Sequence, residues 1–121
     1  MRKLAALLSL ALLAVPMTTP ASADTFAQVS DKQTFVSLVN GRKLTRLGIK
    51  LDVTPDGQIK GNAFGRDVTG AWTWKSGYFC RDLYWGKRDL GPNCQAVKVQ
   101  GNTVRFISDQ GTGQFADLVL R

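Results

Sequence analysis

No histidine occurs anywhere in the 121 residues, and no glutamate. Without histidine there is no Ser-His-Asp or Cys-His triad and no histidine-ligated zinc, copper or haem. The commonest general base near neutral pH is missing as well. Without glutamate, carboxylate chemistry falls to nine scattered aspartates. Two cysteines, Cys80 and Cys94, do not form a C-x-x-C redox motif. The sequence therefore predicts no cofactor and no metal.

Long apolar runs are also scarce. The only one is Leu4 to Val15, broken by Ser9. Arg2 and Lys3 precede it, Pro16 and Pro20 follow it, and Ala21-Ser22-Ala23 ends the segment with small residues. This is the pattern of a secretory signal peptide over residues 1–23, with cleavage between Ala23 and Asp24. Periplasmic or secreted localisation is expected. The run is too short, and wrongly flanked, for a retained anchor, and no cysteine near the cleavage site suggests a lipoprotein. The remaining residues, 24–121, are expected to form one secreted β-domain with no transmembrane segment.

That domain keeps fourteen Lys and Arg against nine Asp, a net charge of +5. Such a surface favours anionic partners, whether protein, lipid headgroup or phosphate polymer, although it also serves solubility. In an oxidising compartment Cys80 and Cys94 are expected to pair as a structural disulfide. The loop they close is about 15 residues, worth roughly 3 kcal/mol by chain-entropy arithmetic.

The one helix candidate is Ser30 to Gly41. Ser30 is placed as N-cap, Asp31 lies in the first turn, and Phe35, Leu38 and Val39 make an apolar stripe. From Lys43 onward the period becomes two. Ile49, Leu51 and Val53 alternate with polar residues, Pro55-Asp56-Gly57 turns the chain, and Ile59, Gly61 and Ala63 return. Further strands are expected at Val68 to Trp74, Tyr78 to Trp85, Cys94 to Val99, Val104 to Phe106 and Gln114 to Leu120. Gly86 to Pro92 reads as a loop, and Asp109-Gln110-Gly111-Thr112-Gly113 as a turn. The expected fold is mainly β: a small antiparallel meander or barrel of about seven strands, with one short N-terminal helix and one disulfide.

Two constellations stand out. Trp72 and Trp74, on one strand face with Val68, fit a barrel core better than a stacking platform. The segment Tyr78 to Arg88 is the richest in recognition chemistry. Arg81, Lys87 and Arg88 offer charge there, and Tyr84 and Trp85 offer contact area. Their alternative is a solvated loop whose aromatics tuck inward. No aspartate spacing selects a catalytic pair.

The string Gly70-x-Trp72-x-Trp74-x-x-Gly77-Tyr78-Phe79-Cys80-Arg81, followed by Asn93-Cys94-Gln95, Val104-Arg105-Phe106 and Asp109-x-Gly111-x-Gly113, is similar to a family of small exported alphaproteobacterial proteins. The likeness covers roughly the last two-thirds of residues 24–121. Some members carry the label dihydrodipicolinate reductase. That chemistry resembles a Rossmann enzyme, with a glycine fingerprint opening a helix and with histidine and lysine around the substrate. This chain has neither the fingerprint nor the histidine. The architecture also resembles small periplasmic β-barrel inhibitors of lysozymes and metalloproteases, as an analogy of fold alone.

The expected function is that of an exported, non-enzymatic binding domain. It would engage an anionic protein or envelope component, and no specific nucleic acid, through a disulfide-stapled basic and aromatic loop of Arg81, Tyr84, Trp85, Lys87 and Arg88. The alternatives are a periplasmic inhibitor of a secreted hydrolase and a small aspartate-dependent enzyme. Oligomeric state is not legible.

Overall fold

The computed structural model describes residues 25–121. The expected signal peptide and its cleavage point lie outside them. The elements run β1 (Ala27–Val29), α1 (Lys32–Val39), β2 (Leu44–Arg46), β3 (Ile49–Val53), β4 (Gln58–Ala63), β5 (Arg66–Lys75), β6 (Tyr78–Trp85), β7 (Arg88–Gln100), β8 (Thr103–Ile107), α2 (Ser108–Gly111) and β9 (Phe115–Leu120).

Strands β2 to β9 form a closed antiparallel barrel, because β9 pairs with β2 and β8 pairs with β7. Closure leaves the ring without free edges. The sequence suggested about seven strands; eight form the barrel, and β1 adds a short ninth along the far half of β7. β1 and β2 have three residues each, too few to display a period of two. No helix among the described residues is long and apolar enough to cross a membrane.

Strand alternation fixes what points inward. Val68, Gly70, Trp72 and Trp74 of β5 pair with Trp85, Leu83, Arg81 and Phe79 of β6, so both sets share the interior face. Ile59 and Gly61 of β4 face Val53 and Leu51 of β3. The two ends of the interior differ in the kind of residue they hold. One end holds Trp72, Phe79 and Phe106, all buried. Toward the other lie Gly61, Ala63 and Gly70 among Leu51, Val68, Leu83 and Trp85. A Cβ on Gly61 would sit 2.1 Å from the carbonyl oxygen of Lys50, and one on Gly70 would sit 2.1 Å from that of Asp82. Glycine at both positions lets adjacent strands close tightly while adding no side chain to the lumen.

Helix α1 plugs the aromatic end. Phe35 is wholly buried, with its ring centroid 5.2 Å from Trp72, 5.3 Å from Trp74 and 5.0 Å from Phe79. The tryptophans are therefore core, as their shared face with Val68 suggested. The Trp72 indole N–H donates to the Thr54 carbonyl at 2.9 Å, which ties the β3–β4 turn to the same end.

The helix is shorter than the sequence suggested, and its cap is Asp31 rather than Ser30. The Asp31 carboxylate accepts from the Thr34 backbone N–H at 2.8 Å and from the Thr34 hydroxyl at 3.0 Å. These bonds hold the Asp31 carboxyl below its ordinary value of 3.8. A carboxyl with a lower pKa in the folded state than in the unfolded state adds stability above the unfolded pKa. That contribution is lost as pH falls through the folded pKa. Asp31→Ala is accordingly expected to be less stable than the parent at neutral pH, with the gap narrowing as pH falls below 3.8. Urea midpoints across pH measure it; a pH-independent gap would show that the carboxylate charge contributes nothing.

Candidate functional site

Residues 78–100 form one long hairpin, not a strand followed by a loop. β6 and β7 are joined by Gly86-Lys87, with Gly86 at φ 56°, and Trp85 lies opposite Arg88. The expected loop Gly86 to Pro92 is thus mostly strand. Its asparagine-free turn and Pro92 hid the pairing. Between Leu83 and Tyr84 the register shifts by one, leaving Leu90 as the extra residue on β7, beside Gly91 at φ 75°. Such a bulge re-aims side chains. Cys80 and Cys94 are directly opposite one another in this hairpin and are joined by a disulfide.

The five residues singled out for binding do not share one surface. Arg81 and Trp85 lie on the interior face with Phe79 and Leu83, while Tyr84, Lys87 and Arg88 are exposed. The Trp85 indole N–H donates to the Ala63 carbonyl at 2.8 Å, and the Arg66 guanidinium lies 4.6 Å from the Trp85 ring centroid. The Arg81 guanidinium donates to the Gly91 carbonyl at 2.8 Å. Burial pulls its pKa down from the ordinary value, and the neighbouring Asp82 carboxylate pushes it up; an arginine so placed keeps its charge. The hairpin tip is also less basic than Lys87 and Arg88 imply, since exposed Asp89 follows them and exposed Asp67 of β5 lies beside the turn, its carbonyl accepting from the Gly86 N–H at 2.7 Å.

A larger basic surface lies elsewhere. β2 pairs with β9 over only two residues, Leu44 with Leu120 and Thr45 with Val119. Beyond them a groove opens that is lined by Lys43, Arg46, Lys50 and Arg121. Lys60 follows on the neighbouring strand. Asp117, the carboxylate in this groove, is engaged by Arg105 through two hydrogen bonds of 2.8 and 3.0 Å. That contact lowers the Asp117 pKa. Arg105 is itself held between the rings of Phe26 and Phe115, at 4.0 and 4.1 Å. Sequence reading missed the groove because its cations are spread over 78 residues and only barrel closure brings Arg121 to Lys43. The two residues exchange backbone hydrogen bonds of 2.8 and 2.9 Å.

The glycine-rich stretch at 109–113 is a short helical turn rather than a plain one. Asp109 and Gln110 both adopt left-handed backbone, at φ 55° and 56°. Non-glycine residues pay for this conformation, and here Asn93 offsets the cost. Its side chain donates to the Asp109 carboxylate and accepts from the Asp109 backbone N–H, both at 2.9 Å.

Inside the barrel two adjoining spaces share Leu51 and Leu83. One, of about 200 Å³, is bounded by Phe79 and Phe106 and contains Arg81 and Gln95. The other, of about 320 Å³, lies between Ile49, Ala63, Phe64, Val68, Trp85 and Leu90, and its wall is wholly apolar. Comparison of the chain with protein-family models, with curated proteins and with solved structures gives no match.

Proposed function

We propose that the protein is an exported, non-enzymatic binding domain that engages an anionic envelope partner through its basic exterior. The observation that carries this reading is the supply of exposed cations outside the two carboxylate ion pairs. Among the described residues, carboxylate ion pairs hold Lys43 and Arg105. Arg46, Lys50, Lys60 and Arg121 stand exposed around the β2–β9 groove, and Lys87 and Arg88 at the hairpin tip. The aspartates are largely employed in structure, which favours binding over turnover. Asp31 caps the helix, Asp56 accepts from the Thr54 hydroxyl, Asp52 pairs with Lys43, and Asp89 accepts from the Gly91 N–H.

The test uses oxidised protein of residues 24–121, immobilised and exposed to native envelope extract, with elution by salt. A defined component is expected to leave at raised salt, because exposed charge contacts are screened. Arg46→Ala/Lys50→Ala/Lys60→Ala is expected to weaken its binding roughly tenfold, at up to about 1 kcal/mol per exposed contact. Lys87→Ala/Arg88→Ala tests the hairpin tip in the same way. Affinity unchanged in both variants would sink the reading.

A further inference from the structure

The barrel interior carries an inference independent of the outer face. We infer that the lumen is a binding site for a small amphiphile: a monocarboxylate with a medium-length alkyl or similar apolar body. Its carboxylate would meet Arg81, and its body would fill the space toward Phe64 and Leu90.

Three observations converge on this. The first is the unfilled apolar space away from the aromatic end. Phe35, Trp72, Phe79 and Phe106 fill one end of the barrel, whereas Gly61, Ala63 and Gly70 leave room between Leu51, Val68, Leu83 and Trp85 toward the other. An eight-stranded barrel is just wide enough either to be filled by its own side chains or to hold one small ligand. Here an apolar space of about 320 Å³ remains between Leu51, Val68, Leu83 and Trp85, within the range of small-molecule sites, about 300–1,000 Å³.

The second observation is the charge. Arg81 is a half-buried guanidinium facing the lumen, with one hydrogen bond to the Gly91 carbonyl and no carboxylate ion pair among the described residues. Five N–H donors on a partly desolvated group favour an anion that can take two at once. Gln95 borders the same space and adds a polar side chain near that end.

The third is the exit. Phe64 and Leu90 line the apolar space yet are 68% and 48% exposed. Phe64 sits at φ 51° in the β4–β5 turn, and Leu90 is the residue displaced by the β6–β7 bulge. Large apolar side chains left at a rim next to an apolar space mark an entry rather than a sealed core. Along β6, Arg81 and Trp85 are four residues apart, about 13 Å at about 3.3 Å per residue, a span suited to a medium alkyl chain.

Decanoate and decanol serve as probes of matched length. Oxidised residues 24–121 are titrated with each and followed by tryptophan fluorescence, since Trp85 lines the space, and by calorimetry. Decanoate is expected to bind 1:1 and raise Tm. Arg81→Gln is expected to weaken decanoate by at least about tenfold and leave decanol unchanged; a merely structural arginine would shift both together. Ala63→Phe, which fills the space from its wall, is expected to abolish both. Arg66→Gln, which removes the cation over Trp85, is expected to alter neither by more than about twofold. Absence of decanoate binding, equal binding by Arg81→Gln, or a loss confined to Arg66→Gln would overturn the assignment. None of these outcomes bears on the outer-face reading, whose variants lie outside the lumen.

Discussion

Replacing Phe35 with alanine is expected to lower the unfolding free energy by about 3–5 kcal/mol, the usual cost of removing a fully buried aromatic ring. Phe35 is the centre of the closed end. Its ring is edge-on to Trp72, stacked with Trp74, tilted against Phe79 and edge-on to Phe106 at 6.3 Å. Its loss leaves four aromatic rings without a common partner. The helix that carries it has eight residues, too few to persist without docking, and Val39 is the other residue it buries fully. At about 4–8 °C per kcal/mol for a domain of this size, Tm is expected to fall by roughly 15 °C or more. Urea unfolding gives the free energy, and near-ultraviolet circular dichroism reports whether the tryptophans stay ordered. A loss under about 1 kcal/mol would mean that α1 does not seal the barrel.

Removing both cysteines, as Cys80→Ala/Cys94→Ala, is expected to cost about 3 kcal/mol through the unfolded chain. The pair is 14 positions apart in the sequence. The native hairpin does not need the bond to find its register, since Trp85 to Phe79 already pair along β7. The variant is therefore expected to keep the folded spectrum while its denaturant midpoint drops and its m-value rises, the latter because the unlinked unfolded chain is less compact. A thiol reductant should reproduce the shift in the parent. A change below about 1 kcal/mol would show that the hairpin persists in the denatured state and that the bond removes little entropy there.

Much of this architecture is legible in alternation. Val68-x-Gly70-x-Trp72-x-Trp74 and Ala116-x-Leu118-x-Leu120 each put their apolar members on the face they occupy in the barrel. The same rule, applied to Phe79-x-Arg81-x-Leu83-x-Trp85, places Arg81 indoors. Reading charge as a surface property obscured that, and so grouped Arg81 and Trp85 of the interior face with the exposed Tyr84, Lys87 and Arg88. β1 and β2 were illegible for a different reason: three residues hold no period, and both strands exist because β7 and β9 offer them partners. The helix cap shows a smaller effect of the same kind. Ser30 and Asp31 are both good caps by residue type, and the reach of the Asp31 carboxylate to Thr34 decides between them. The basic groove has no local signature at all.

The barrel is a ring whose first and last staves meet. Leu44 of β2 lies opposite Leu120 of β9, so the sheet cannot close until the final strand is present. A chain that emerges N-terminus first holds β2 as a raw edge from early in its synthesis until β9 is made, able to recruit a foreign strand. Folding must then wait on contacts spanning more than seventy residues, which makes it slow for a domain of this length. During that interval the molecule depends on whatever shields that edge in its surroundings.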